Sequence, residues 1–76
     1  MLSGADRRTA EKELSAVERR MAKVADAITS KHDAFATADQ SDYPGLQRLQ
    51  EELSALDSEA ASLEDRWLEL SEQLES

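Results

Sequence analysis

No cysteine occurs in the sequence, and there are only one proline, two glycines and three aromatic residues, Phe35, Tyr43 and Trp67. The absence of cysteine excludes a disulfide scaffold and a thiolate metal site, and leaves the redox compartment open. A sandwich or barrel must turn its chain every ~8–12 residues, which so few turn-forming and β-favouring residues do not permit. No stretch comes near the roughly 18 apolar residues of a membrane span. Met1 to Asp6 lacks the apolar run of a signal peptide. What the 76 residues do have is charge, nine Lys and Arg against seventeen Asp and Glu, for a net of −8. A chain of this length buries only about 60% of its unfolded surface, so its core is thin. A helical rod and a disordered acidic tail both fit this composition, and periodicity separates them.

From Asp6 to about Ala36 the apolar residues are Ala10, Leu14, Val17, Met21, Val24, Ile28 and Phe35, spaced alternately by four and three, with Lys31 in the one missing place. From Leu46 the series Leu46, Leu49, Leu53, Leu56, Ala60, Leu63, Trp67, Leu70 and Leu74 misses no place. Each run is a heptad seam, a pattern that a disordered acidic tail has no reason to keep. Between them lies the only cluster of turn-formers, Thr37 to Gly45. Pro44 suits a first helical turn, and Ser41 or Asp42 can cap the free amides there. Ser3 and Asp6 form a capping arrangement at the other start, where Gly4 is expected to fray. The fold class expected is all-α, a single-domain antiparallel two-helix coiled-coil hairpin over residues 1–76. Helix one covers about 6–37, the turn 38–43 and helix two about 44–75. A monomer is expected, with a four-helix dimer of hairpins as the rival because a two-helix core is thin.

Two alignments of the seams compete. One pairs Phe35 with Leu49, Lys31 with Leu53, Ile28 with Leu56, Val24 with Ala60, Met21 with Leu63, Val17 with Trp67, Leu14 with Leu70 and Ala10 with Leu74. It gives the shortest loop and buries every apolar seam residue. Slipping one heptad pairs Ala10 with Trp67 and brings Arg20 to Glu59 and Arg66 to Glu13, but leaves Phe35 and Leu74 without seam partners. Burying one large apolar side chain is worth about 1.5–3 kcal/mol, against about 0–1 kcal/mol for a surface ion pair. That comparison favours the first alignment.

Nothing in the sequence gathers catalytic groups. His32 is the only histidine, and its plain reading is a solvated side chain beside the seam. There is no calcium loop, His-Glu-x-x-His helix or Gly-rich phosphate loop. Catalytic, cofactor-binding and metal-ligating residues are therefore expected to be absent. Lys31 either fixes the seam's register as a lone polar residue or carries its ammonium to water along its stem. Trp67 reads as a core residue.

Charge is distributed unevenly. Up to Thr37, seven basic residues face six acids, whereas from Ala38 two arginines face eleven acids, a net of −9. The two helices therefore attract. Arg8, Lys12, Arg19 and Lys23 share the outer face of helix one, with Arg7 and Arg20 beside them. Like charges four residues apart mildly destabilise a helix, so this stripe points to an anionic partner such as a phosphate backbone, with a merely solvated face as the alternative. A net of −8 argues against strong nucleic-acid binding by this piece alone.

The stretches Arg7-Arg8, Glu11-Lys12-Glu13-Leu14 and Val17-Glu18-Arg19-Arg20-Met21, the turn Ser41-Asp42-Tyr43 leading to Leu46 and Leu49, and the ending Leu63-Glu64-Asp65-Arg66-Trp67-Leu68-Glu69-Leu70 resemble the C-terminal coiled-coil domain of ABC-F proteins. These are the Uup-like ATPases with two ATP-binding cassettes and no membrane segment. The resemblance covers about Arg7 to Leu74, and Trp67 in its acidic setting is its most specific element. It implies a C-terminal piece of a longer cytoplasmic ATPase acting on ribosomes and translation, with ATP and Mg held in cassettes outside these residues. It also implies a partner, DNA or ribosomal RNA, bound weakly by the isolated domain. The family's nucleic-acid contact can carry over only onto Arg7, Arg8, Lys12, Arg19, Arg20 and Lys23, and the acidic second helix is a departure from strongly basic members. The alternative is a structural or protein-interaction coiled coil that spaces or regulates the cassettes without touching nucleic acid.

Overall fold

A computed structural model describes residues 2–75. Helix α1 spans Gly4–Thr37 and helix α2 spans Tyr43–Glu75, and the two pack antiparallel into a rod of 57 × 14 × 14 Å. Ser3 caps α1, its hydroxyl accepting from the Asp6 amide at 3.1 Å, and Gly4 is the first helical residue rather than frayed.

The connection is tied by its own side chains. The Gln40 amide donates to the Phe35 carbonyl at 3.3 Å, which also accepts the Ala38 N–H, and to the carbonyl of the cap residue Ala38 at 3.0 Å. The Asp39 carboxylate accepts from the Ser41 amide at 2.9 Å and hydroxyl at 2.7 Å, a local turn that holds this carboxyl below its ordinary value. Asp42, not Ser41, caps α2, accepting from the Gly45 amide at 3.1 Å. A β-carbon on Gly45 would collide with the Asp42 carboxylate, so glycine at this place keeps the cap intact.

Every seam place from Ala10 to Leu74 is buried or half-buried. Ala10, Val17 and Leu70 form a buried cluster onto which Leu14, Met21, Leu63, Trp67 and Leu74 pack, and Val24 and Leu53 are buried further along the seam. The two flanks of the seam differ. Glu13, Ala27, Ala34, Glu52, Glu59 and Arg66 on one flank are half-buried, whereas Glu11, Glu18, Ala25, His32, Asp57 and Glu64 on the other are exposed.

The two ion pairs expected of the slipped alignment are present beside contacts of the burial-favoured one. Arg20 meets Glu59 through two hydrogen bonds of 2.5 and 2.8 Å, and Arg66 meets Glu13 at 2.5 and 2.7 Å. In the favoured ladder Arg20 and Glu59 would lie five residues out of step, about 7.5 Å along the axis. Other contacts keep to the favoured ladder: Lys31 meets Glu52 and Trp67 meets Glu18, each one residue from a pairing of that ladder, and Leu70 shares a cluster with Ala10 and Val17, which bracket its partner Leu14. Phe35 and Leu74 are half-buried, as that ladder expects. The two arginines reach along the axis to their acids, and Arg7 reaches the Leu74 carbonyl at 3.1 Å.

Lys31 behaves in neither of the two expected ways alone. It is half-buried and paired across the interface with Glu52, a partner the periodicity did not reveal. Trp67 lies over the core cluster and donates its indole N–H to Glu18 at 3.2 Å.

Candidate nucleic-acid interface

A helix rises about 1.5 Å and turns about 100° per residue. On α1 this places Arg8, Lys12, Arg19 and Lys23 within about a sixth of the helix circumference, away from the seam. All four are exposed, as are Arg7 and Arg20.

The tertiary structure sorts these six cations. Arg7 pairs with Glu11 at 3.2 Å and with the Leu74 carbonyl, and Arg20 is held in its fork with Glu59. Arg8, Lys12, Arg19 and Lys23 make no ion pair or hydrogen bond through their side chains among the described residues. The acids of the same stretch are all engaged: Glu11 by Arg7, Glu13 by Arg66 and Glu18 by Trp67. Glu11 and Glu13 are offset by their arginines, while Glu18, held by a neutral indole, keeps its charge on the flank; the outer face itself carries four exposed cations and no acid between Arg8 and Asp26. Sequence periodicity puts Glu11 and Arg7 one turn apart and offers Glu13 with Arg66 in one of two alignments, but gives no sign of Glu18 with Trp67, which exists only once α2 is in place.

The cross-helix forks also shift their carboxylates. Hydrogen bonds from Arg66 hold Glu13 below its ordinary value of 4.5, and those from Arg20 do the same for Glu59. The same bonds raise both guanidinium groups. A carboxyl whose folded pKa lies below its unfolded one stabilises the fold above the unfolded value, and that contribution disappears as pH falls through the folded value. The double variant Glu13→Gln with Glu59→Gln is expected to unfold at a lower temperature than the parent at neutral pH. The gap between the two melting temperatures should narrow as pH falls below 4.5 and through the lowered folded values. Circular-dichroism melts of both proteins across that range check it, and a gap independent of pH would assign the loss to packing instead.

Among the described residues no group of His, Cys, Asp and Glu is arranged to hold a metal ion, and no helix is long and apolar enough to cross a membrane. The grooves along the seam are shallow. One is lined by Met21, Ala25, Ile28, Ala60 and Glu64, with a single ionisable group and nothing for it to act with. As a class, the described residues form an antiparallel coiled-coil hairpin with a cationic stripe on one outer face. Residues 7–72 match the family model of the ABC transporter C-terminal domain, and the chain belongs to that family. Neither a curated protein nor a solved structure matches the chain. Membership makes this hairpin an accessory domain of an ABC protein.

Proposed function

We propose that the hairpin serves a soluble cytoplasmic ATPase of the ABC-F, Uup-like kind, and that the outer face of α1 contacts the phosphate backbone of DNA or ribosomal RNA. The cassettes of the parent chain bind ATP and Mg and carry the hydrolysis, while this domain contributes contact. The observation that carries the reading is the sorting of charge on α1. Every acid between Arg7 and Lys23 has a partner, whereas Arg8, Lys12, Arg19 and Lys23 have none among the described residues. The axis of α2 lies about 8–10 Å from that of α1, on the side opposite this face, so its charges act from somewhat more than one Debye length at 0.1 M salt. With the turn, α2 holds eleven acids. Binding by the hairpin alone is therefore weak and strongest at low salt.

Each engaged phosphate releases counterions, so three or four contacts give a log–log salt slope near −3. Replacing Arg8, Lys12, Arg19 and Lys23 together with glutamine is expected to flatten that slope and weaken binding alike for all base sequences, since phosphate contacts position without specifying. Helicity should hardly change, because removing like charges four apart mildly favours the helix. Fluorescence anisotropy titrations of parent and four-Gln chains at several salt concentrations test this. Equal behaviour of the two, or no binding by either, overturns the reading and leaves the hairpin as a spacer or protein-binding element.

A further inference from the structure

The four unpaired cations are two copies of one unit. Arg8 and Lys12 form an Arg-x-x-x-Lys pair, and Arg19 and Lys23 repeat it eleven residues later. Eleven residues are close to three full turns, so the second pair falls on nearly the same face as the first. Within a pair the two residues rise about 6 Å apart, and the midpoints of the pairs are about 16 Å apart. Between them the face carries the small residues Ser15 and Ala16, both exposed, so nothing fills the gap. Asp26 closes the stripe at its far end. The neighbouring Arg7 and Arg20 also repeat, at thirteen residues, but both are held by Glu11, Glu59 and the Leu74 carbonyl and do not blur the two-part pattern.

A single strand presents one continuous row of phosphates, which an even stripe of cations would track best. Two short clusters with a bare interval match two rows. The phosphate rows along the edges of the B-DNA major groove bound a gap roughly 12 Å wide, with centres about a phosphate diameter further apart, whereas the roughly 6 Å minor groove brings its rows too close. The wide, shallow minor groove of an A-form RNA helix offers a similar spacing. Building on the phosphate reading above, we infer that α1 lies across one wide groove of a double helix, with Arg8 and Lys12 on one strand and Arg19 and Lys23 on the other. The acidic α2 then faces away from the duplex, which fixes which side of the rod approaches it.

The test keeps total charge constant. Ser15→Lys combined with Lys23→Gln moves the second pair four residues toward the first, so the midpoints lie only seven residues, about 10 Å, apart and the stripe becomes even. Ser15 is exposed, and Ser15 and Lys23 both lie off the seam, so the fold should not object. For the parent chain, a 20-base-pair duplex at low salt should bind about tenfold or more tighter than a single strand of matched phosphate number, with a salt slope of about −3 to −4 for the duplex. In the moved-charge variant the duplex preference should fall to about threefold or less, with single-strand affinity kept or raised. DNA and RNA duplexes run in parallel distinguish the two wide grooves. Equal binding of duplex and single strand by the parent, or an unchanged duplex preference in the variant, overturns the two-strand inference while leaving phosphate contact standing. Binding of neither form overturns both.

Discussion

Leu70→Ala is expected to destabilise the hairpin by about 2–5 kcal/mol, the range for removing a fully enclosed leucine from a core. Leu70 is only 1% exposed and joins Ala10 and Val17 in the buried cluster. Its neighbours are few and mounted on two rigid helices, so they cannot close around the void. A chain below about 70–80 residues rarely has more than about 3–5 kcal/mol in hand. The loss is therefore of the same size as the whole stability, and the variant should be largely unfolded near room temperature. Circular dichroism with a urea titration measures it directly. Leu68→Ala on the same helix is the control, since Leu68 is 46% exposed and its loss should be small. Comparable losses at Leu68 and Leu70 would mean that the seam described above is not the folding core.

The second large effect runs the other way. Lys31→Leu completes the α1 seam, and it is expected to raise stability by about 1 kcal/mol, or about 4–8 °C in melting temperature for a domain this small. Lys31 is half-buried, lines a shallow groove with Ala27, Ala55 and Leu56, and meets Glu52. The ion pair is partly exposed, with side-chain exposures of 32% and 40%, and so contributes no more than about 0–1 kcal/mol. A leucine there exchanges that small term for apolar burial, worth about 1.5–3 kcal/mol if complete. Glu52 is left with access to water, so no buried charge is stranded. The accompanying change is in specificity. A lone polar residue in a seam restricts register and oligomeric state, so the variant should show more concentration-dependent association in sedimentation than the parent. A melting temperature that stays level or falls would mean that Lys31 and Glu52 contribute more than a surface pair.

Membership of the ABC transporter C-terminal domain family over residues 7–72 gives these packing effects a functional setting. A rod 57 Å long with a cationic outer face can place Arg8, Lys12, Arg19 and Lys23 at a fixed distance from whatever holds its ends. Loss of the core through Leu70 would scatter the stripe, even though no residue of the stripe is altered.

The fold was legible in the sequence because a coiled-coil hairpin is specified by local rules. The alternation of fours and threes from Ala10 to Phe35 and from Leu46 to Leu74 marks two seams, and Asp42, Pro44 and Gly45 mark the start of α2. The placement of Arg8, Lys12, Arg19 and Lys23 on one outer face was legible for the same reason, since it depends only on the turn of one helix. What the sequence could not decide is how far one helix slides along the other. The seams repeat every heptad, so the final alignment is visible only in the contacts across them: Arg20 with Glu59, Arg66 with Glu13, Lys31 with Glu52 and Trp67 with Glu18. Those contacts in turn decide which charges are consumed and which remain. The pairing of Arg7 with Glu11 is local, but only the packed second helix separates Arg20 from Arg19, because a salt bridge between residues 39 positions apart exists only after the chain has turned back on itself.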